Sequence, residues 1–320
     1  MKLIDMHCDT IGKILDIDKQ GDFYNNHCSV NITEMKKAHS LAQFFACFTY
    51  LGDYIDKDGY DGCYEHALEM LSFFEEQMSI YSKDIAIARS AYEIHKNELE
   101  GKLSAIVTIE EGGILNGKIE RLQALYEKGV RLMTLMWNYE NCLGYPNSKD
   151  SQVMKKGLTP FGIETVEKMG EIGMIVDVSH ASDGSFWDVM KYAKGPVVAS
   201  HSNCRALCSH PRNLSDEMIR KLAEKGGVSG LNLYGVFLGT PNESRIDEMA
   251  AHILHMIKVG GSEFPTIGTD FDGFRGMDVM EIPMISDMEK LWIYLKKKGL
   301  SEGQLEKIWS GNVLRILREI

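Results

Sequence analysis

The sequence of 320 residues lacks any long apolar segment. A transmembrane helix needs roughly 18 or more consecutive apolar residues, and no such run occurs. The N-terminus also lacks the basic region and the apolar stretch of a secretory leader. We therefore expect a cytoplasmic protein with no membrane partner.

The sequence also has too few basic residues for a polyanionic partner, and its cysteines form no recognisable pattern. The 35 Lys and Arg residues face 46 Asp and Glu residues, a formal net charge of -11, so nucleic acid would not be attracted. The seven cysteines include no C-x-x-C pair, which argues against a disulfide framework or a structural zinc knuckle. A metal cation or a small substrate fits this composition better.

No repeat, low-complexity tract or Pro/Ser-rich linker divides the chain, so we expect a single domain over residues 1–320. Short apolar segments without internal alternation recur along it, which is typical of parallel strands buried on both faces. The candidate strands lie near residues 3, 42, 103, 131, 174, 196, 228 and 265. Eight strands with helices between them predict an α/β fold, the (β/α)8 TIM barrel.

Helical patterns fill most of the connections. Apolar residues spaced three and four apart predict helices within residues 11–18, 62–96, 119–128, 161–172, 186–193, 215–225 and 246–259. Two connections, 138–159 and 273–287, are long. Long loops at the C-terminal face of a barrel usually form the walls or the lid of a site.

Residues of the types that bind metals stand at the ends of the predicted strands. His7 and Asp9 follow the first strand two positions apart, so their side chains point to the same side. The other strand ends contribute Glu110 or Glu111, His180, His201 and Asp270. Because barrel enzymes carry their chemistry at the C-terminal strand ends, the pattern predicts a metal site there. Most other histidines, His66 among them, are predicted to be surface or packing residues.

The same strand ends carry a family resemblance. The motifs are D-M-H-C-D-T at the first strand, I-E-E-G-G at the third, V-D-V-S-H at the fifth, S-H-S-N followed by P-R-N at the sixth, and G-T-D-F-D-G at the eighth. With G-L-T-P-F-G at 157–162 and G-N-V-L-R at 311–315, they resemble the membrane (renal) dipeptidase family, a zinc-dependent branch of the amidohydrolase barrels. The resemblance implies a metal-dependent hydrolase that cleaves dipeptides, and it suggests a homodimer.

The resemblance further implies a centre of two divalent metal ions, most simply Zn²⁺. His7 and Asp9 match the ligands of one ion, and His180 and His201 match those of the other. Imidazole and carboxylate ligands suit zinc, and they would also accept manganese or cobalt.

A glutamate after the third strand would bridge the two ions, and two adjacent residues are candidates. The E-G-G pattern favours Glu111, whereas gapless spacing to the downstream L-Y-x-x-G-V-R segment favours Glu110. We select Glu110 because it ends the strand directly.

Of four further residues near the site, Asp270 and Arg212 match functional positions of the family. Asp270 matches the general base that takes a proton from the attacking water and passes it to the leaving amine. Asp272, in the same D-F-D-G motif, is predicted to brace the loop. Arg212 matches the anchor of the substrate's terminal carboxylate, for which a guanidinium fork is suited. Tyr234 either lines the substrate pocket or packs as an ordinary aromatic residue.

One position departs from the family pattern. The animal members have a histidine at the end of the fourth strand, thought to hold the substrate carbonyl oxygen, where this chain has Trp137. Either Asn138 or Asn141 replaces that contact, or the metal ions alone suffice. Alternatively, Trp137 and Tyr139 form an aromatic wall that narrows the pocket.

The leading hypothesis is a zinc-dependent dipeptidase that hydrolyses the peptide bond of dipeptides, including L-D pairs, with a water activated by two metal ions. One alternative is another amidohydrolase reaction, on a lactone, an N-acyl amino acid or a cyclic amide. The other is a catalytically silent barrel that binds a metal or a peptide.

Overall fold

A closed barrel of parallel strands organises the chain. The computed structural model describes residues 1–18 and 21–320, and eight strands form the barrel in this part of the chain. They are β1 (Leu3–Cys8), β2 (Ser40–Phe48), β3 (Leu103–Glu110), β4 (Leu132–Thr134), β5 (Ile175–Asp177), β6 (Val197–Ala199), β7 (Val228–Leu231) and β8 (Pro265–Ile267). Neighbours in chain order pair in parallel, and Asp5 of β1 pairs with Ile267 of β8 to close the barrel. The predicted (β/α)8 TIM barrel is confirmed.

Helices follow most of the strands and form the outer layer. The α-helices are Thr10–Gly12, Ile32–Lys37, Gly59–Ile80, Ala91–Leu99, Ile119–Glu127, Ser151–Met154, Pro160–Ile172, Asp183–Tyr192, Asp216–Glu224, Gly235–Leu238, Ile246–Gly260, Glu289–Lys297, Glu302–Glu306 and Asn312–Ile316. Segments of 3-10 helix cover Leu51–Asp53, Gly112–Leu115 and Ile285–Met288, and π-helical segments cover Lys13–Ile17 and Lys307–Gly311. Among the described residues, no helix is both long and apolar enough to cross a bilayer. The cytoplasmic location and the homodimer stay predictions.

A short strand that the sequence analysis missed lies outside the barrel. Ile85–Ile87 interrupts the predicted helical region 62–96 and pairs with the first residues of β3. Because β4 pairs with β3 only from Thr108 onward, the start of β3 has an open edge, and the extra strand covers it. Two further short strands, Glu243–Ser244 and Val279–Met280, pair with each other.

The end of the chain covers the N-terminal end of the barrel. One core cluster joins buried residues of β1 to β7 with Val313, Ile316 and Leu317. Asn312, the first residue of the last helix, donates a hydrogen bond to the carbonyl of Pro265, where β8 begins. The opposite, C-terminal end of the barrel is therefore the end that is open for a site, as in other barrels of this type.

Substitution of Gly230 in β7 by alanine is expected to destabilise the barrel. A Cβ atom there would lie 1.8 Å from the carbonyl oxygen of Ser200 and 2.9 Å from the Cα atom of Gly268, and backbone atoms of the barrel wall cannot move independently. We expect Gly230→Ala to lower the free energy of unfolding by about 1–3 kcal/mol, measured by urea unfolding. Gly303→Ala is the matched control, since nothing lies within 4 Å of its added Cβ atom. Equal stability of the two variants would contradict this explanation.

Candidate metal centre

Six side chains from five strand ends converge at the C-terminal face of the barrel. The structure brings together all the predicted metal ligands and Asp270, although they are far apart in the sequence. Three overlapping groups have ligand atoms within 4.8 Å of one another: His7–Asp9–Glu110, Glu110–His180–His201 and His7–His201–Asp270. The parallel pairing of the strands produces this proximity, because their carboxyl ends meet at one end of the barrel.

Glu110 lies between the two predicted pairs of ligands. Its Oε2 atom lies 3.2 Å from His7 Nε2. Its Oε1 atom lies 3.2 Å from His180 Nε2 and 3.6 Å from His201 Nε2. His7 Nε2 also lies 3.4 Å from Asp9 Oδ2. The two carboxylate oxygens thus face two different sets of nitrogen atoms, which is the arrangement expected of a bridging ligand.

Glu111 is adjacent in sequence and has a different environment. One of its carboxylate oxygens accepts hydrogen bonds from the Gly113 N–H (2.8 Å) and from the Asn141 side chain. The other accepts a hydrogen bond from the Trp137 N–H (2.9 Å). Glu111 and Asn141 therefore brace the loops after β3 and β4. This geometry supports Glu110 as the bridging residue.

Burial controls the charge states of the cluster. Loss of water raises the pKa of Asp9 to about 6 and that of Asp270 to about 7. It lowers the pKa of His180 to about 4 and holds the pKa of His201 well below its ordinary value. Carboxylates packed this closely away from water are unfavourable unless a positive charge compensates them. The electrostatics of the cluster thus favour a bound cation.

Several buried polar atoms of the cluster have no hydrogen-bond partner among residues 1–18 and 21–320. They are both ring nitrogens of His7, Asp9 Oδ1, Glu110 Oε1 and His201 Nε2. Buried polar atoms are normally hydrogen-bonded, so each exception needs an explanation. Imidazole nitrogens combined with carboxylate oxygens are the donor set of zinc and related divalent ions. The residues present therefore fit a metal centre.

The two aspartates of the D-F-D-G motif are held differently. Asp270 Oδ2 accepts a hydrogen bond from Asn232 Nδ2 (2.8 Å), while its Oδ1 atom lies 3.9 Å from His7 Nε2. Asp272 accepts hydrogen bonds from Thr10 Oγ1 (2.7 Å), Lys13 Nζ (2.8 Å) and the Ser29 N–H (2.9 Å). Asp272 thus ties the loop after β8 to the segments that follow β1. These contacts support its predicted role as a loop brace.

Backbone strain occurs at two of the six cluster residues, and the loop brace Asp272 shares it with a φ angle of 71°. His180 and Asp270 have φ angles of 67° and 63°, in the left-handed region that residues other than glycine seldom adopt. Strained residues of this kind cluster at functional sites, where neighbouring contacts hold them in place. Asn232 supplies such a contact to Asp270, and Asn138 Oδ1 lies 3.1 Å from His180 Nδ1.

A cavity of about 450 Å³ opens above the cluster, and much of its wall is aromatic. Trp137 packs edge-on against Phe48 and Tyr50, with ring centroids 5.0 and 5.6 Å away. Tyr139 packs against Trp137 at a ring distance of 6.1 Å. A second aromatic group in the wall consists of Tyr234, Phe237 and Phe274. Phe48, Tyr50 and Trp137, hereafter the aromatic wall, line the cavity. Tyr139, predicted to form this wall with Trp137, packs against Trp137 but is not part of the lining.

The predicted substrate-binding residues lie at different depths. Tyr234 and Asn138 line the cavity. Arg212 is buried outside this lining, with its guanidinium carbon 5.7 Å from the ring centroid of Phe237. It donates a hydrogen bond to the carbonyl of His201 (2.9 Å). Its contact with a substrate carboxylate stays a prediction.

The sequence analysis missed residues at the mouth of the cavity and beneath the ligands. His66, predicted to lie away from the site, lines the outer cavity together with Asp16, whose Oδ2 atom is 3.3 Å from His66 Nε2. That prediction was wrong because the helix Gly59–Ile80 packs beside the segment that follows β1. Beneath the ligands, Ser200 and Asp177 are hydrogen-bonded neighbours, and their places within the V-D-V-S-H and S-H-S-N motifs were the available signal.

Comparison with known proteins establishes the family. A family model described as membrane dipeptidase (peptidase family M19) matches residues 1–320. The chain belongs to the membrane dipeptidase family. Membership confirms the predicted resemblance and makes the chain a peptide-bond hydrolase of the metallo-dipeptidase class.

Two curated relatives of this membrane dipeptidase are 30% identical to it. The protein of the pqqA 5′ region of Klebsiella pneumoniae aligns over 79% of this chain and 95% of its own length. An uncharacterized dipeptidase of Schizosaccharomyces pombe aligns over 93% of this chain and 74% of its own length.

Solved structures share the barrel. A metallopeptidase of Rhodobacter sphaeroides, liganded with a phosphinate mimic of the dipeptide L-Ala-D-Ala, has a TM-score of 0.89 at 21% identity, covering 100% of this chain and 99% of that one. The dipeptidase AC has a TM-score of 0.90 at 21% identity, covering 100% and 98%. At this identity the likeness shows the fold.

Glu110→Gln is expected to weaken metal binding, whereas Glu111→Gln is expected to lower the stability of the fold. Glu110→Gln removes the charge between both nitrogen sets, so affinity for Zn²⁺ should fall by at least about 100-fold, since changes outside the ligand shell already cost 10–100-fold. Glu111→Gln should keep the metal. The NH2 group of the new glutamine would face backbone or side-chain N–H donors in place of an accepting oxygen, so the free energy of unfolding should fall by about 1–3 kcal/mol.

Zinc titration and urea unfolding of the chelated proteins measure the two effects, and each variant is the control for the other. Loss of zinc binding by Glu111→Gln but not by Glu110→Gln would show that Glu111 is the bridging residue.

Proposed function

We propose that this chain is a single-domain dipeptidase whose active site holds two divalent cations, most simply Zn²⁺, around Glu110. The observation that carries the proposal is that the two Glu110 oxygens face separate nitrogen groups, each at 3.2 Å. His7 and Asp9 would hold one cation, and His180 and His201 the other. The buried atoms of this cluster that lack a partner within the described residues support the assignment.

Hydrolysis needs an activated water, a polarised carbonyl and a proton carrier. When bound, two such cations lower the pKa of a shared water and polarise the carbonyl group of the peptide bond. Asp270 is the proposed proton carrier, because Asn232 fixes its Oδ2 atom while its Oδ1 atom faces the centre. From there the carboxylate accepts the proton of the attacking water and returns it to the leaving amine.

The cavity supports a short substrate with an apolar side chain. Its volume of about 450 Å³ is near the lower end of the roughly 300–1,000 Å³ of typical ligand pockets, which suits a dipeptide. The ring of Trp137 lies 6.1 Å from that of His180, so a side chain next to the centre would pack on the aromatic wall. The ligand of the Rhodobacter sphaeroides structure, a mimic of L-Ala-D-Ala, supports L-D pairs as substrates.

Arg212 is the proposed contact for the substrate's terminal carboxylate. Its Nε atom is buried without a hydrogen-bond partner in the described part of the chain, so the guanidinium group keeps an unused donor. Burial lowers the pKa of Arg212 to about 10, which still leaves it charged at neutral pH. A neutral lactone would gain nothing from this charge, so Arg212 favours a peptide with a free carboxylate.

Asp270→Asn is expected to abolish most turnover while the metal content stays unchanged. An amide cannot accept the proton of the attacking water, so kcat should fall by about 10²–10⁴-fold. The assay is a panel of L-L and L-D dipeptides with zinc-loaded protein, with metal analysis of the same preparations. Asp247→Asn, at an exposed position of the helix Ile246–Gly260, is the matched control and should behave like the wild type.

Two results would contradict these proposals separately. If the zinc-loaded wild-type protein cleaves no dipeptide of the panel, the proposed function is wrong. If Asp270→Asn keeps full turnover, the function stands and the role of Asp270 is wrong.

Trp137→Ala is expected to change which dipeptides are preferred. Removal of the indole takes away the apolar surface beside His180, so kcat/KM for dipeptides with a bulky apolar residue should fall by about tenfold relative to Gly-containing dipeptides. Tyr92→Ala is the control, because Tyr92 is exposed on the helix Ala91–Leu99 and does not line the cavity. A uniform loss across all dipeptides would contradict a role of Trp137 in side-chain recognition.

A further inference from the structure

The two histidines on one side of Glu110 are each held through the ring nitrogen that faces away from it. His180 directs Nε2 toward Glu110 Oε1 at 3.2 Å, and its Nδ1 atom lies 3.1 Å from Asn138 Oδ1. With the Asn138 amide in this orientation, its oxygen accepts and His180 Nδ1 carries the proton of the contact. The Nε2 atom of the neutral ring then has no proton, and its lone pair points toward Glu110.

His201 is also protonated at Nδ1, through a hydrogen-bonded chain formed by Ser200 and Asp177. Its Nδ1 atom lies 2.6 Å from Ser200 Oγ, and the Ser200 hydroxyl donates to Asp177 Oδ2. Because a serine hydroxyl has one proton and an ionised carboxylate only accepts, Ser200 Oγ must accept from His201 Nδ1. Asp177 is fully buried and fixed by hydrogen bonds from Thr134 Oγ1 (2.7 Å) and the Ser179 N–H (2.9 Å).

His7, on the other side of Glu110, differs. Both of its ring nitrogens are buried and lack a hydrogen-bond partner within residues 1–18 and 21–320. Its Nε2 atom faces Glu110 and Asp9, but no residue of the described chain holds its Nδ1 atom in the way that Asn138 and Ser200 hold those of His180 and His201. The two halves of the centre are unequally prepared for a cation.

We propose that Asn138 and the Asp177–Ser200 pair are positioning residues that preset the tautomers of His180 and His201, so that this half of the centre binds its cation first and more tightly. The inference rests on the proposed function. With both Nδ1 atoms protonated, the Nε2 lone pairs of His180 and His201 face Glu110 Oε1 with no proton between them. These groups repel one another, and a bound cation would remove the repulsion. The His7–Asp9 half lacks a contact that orients its histidine through Nδ1, and it binds its cation second.

This inference gives Asn138 the role of positioning His180, in addition to the substrate contact suggested by the sequence. The sequence suggested Asn138 as a contact for the substrate carbonyl oxygen, and it does line the cavity. Its only polar contact in the described part of the chain joins its Oδ1 atom to His180 Nδ1, so the Nδ2 group, the donor that a carbonyl oxygen needs, is not engaged by this contact. A positioning residue and a substrate contact predict different measurements.

The test is Co²⁺ titration of the chelated full-length protein, followed by calorimetry and by the visible absorption of the bound ion. The wild type should show two affinity classes. Asn138→Leu and Ser200→Ala should weaken the tight class by about 10–100-fold and leave the weak class unchanged. Asn138→Asp should restore the tight class, because a carboxylate accepts the same hydrogen bond. Ser104→Ala, an equally buried serine at the N-terminal end of β3, is the control and should bind Co²⁺ like the wild type.

Other results would overturn the inference in distinguishable ways. Asn138→Leu with an unchanged tight class and a raised KM would make Asn138 a substrate contact, and the proposed function would stand. A single affinity class for two ions in the wild type would overturn the order of binding. A wild-type protein that binds no divalent ion would overturn the metal-dependent function and this inference with it. If Ser200→Ala fails to fold, the two Asn138 variants decide.

Discussion

A buried carboxylate with imidazole nitrogens at both of its oxygens is the feature on which the rest of the site depends. Glu110 ends β3; burial alone would raise its pKa, but the neighbouring imidazole of His7 holds it low. A charge in such surroundings is stable only when its partners are fixed in place. Four other strand ends supply those partners, so the position of one side chain depends on closure of the whole barrel.

Two strand ends each carry a pair of carboxylates, of which one is held by hydrogen bonds and the other faces the centre. After β3, donors of the protein occupy both oxygens of Glu111, whereas Glu110 keeps one oxygen without a partner in the described chain. After β8, Asp272 is bound by Lys13 and others, whereas Asp270 keeps one oxygen facing the centre. In each pair the bound carboxylate immobilises the loop that carries the other. Hydrogen bonds of this kind to a charged group contribute about 1.5–3 kcal/mol each.

The fold and the position of the site could be predicted from sequence because both follow from local patterns. Apolar runs mark the strands, and strand ends carry the ligand types. The choice between Glu110 and Glu111 could not be settled this way, because it depends on donors that come from the loop after β4, such as the Trp137 N–H.

Contacts between segments that are distant in the sequence also explain two places where the structure differs from the sequence prediction. His66 belongs to an amphipathic helix whose sequence does not reveal that it lies beside Asp16. Ile85–Ile87 forms a strand because β3 begins before its neighbour β4 can pair with it. In each case the deciding group lies in a segment that is distant along the chain, which a local pattern does not record.

The pairing of β1 with β8 sets the time at which this site can exist during biosynthesis. His7 precedes Asp270 by 263 residues, so at roughly 5–20 residues per second the first ligand waits on the order of ten seconds or more for the last group. Until β8 is in place, β1 has an open edge and its ligands face an incomplete barrel. The complete set of ligands therefore exists only in a chain whose barrel has closed, and a nascent chain that stalls before β8 would leave the ribosome without it.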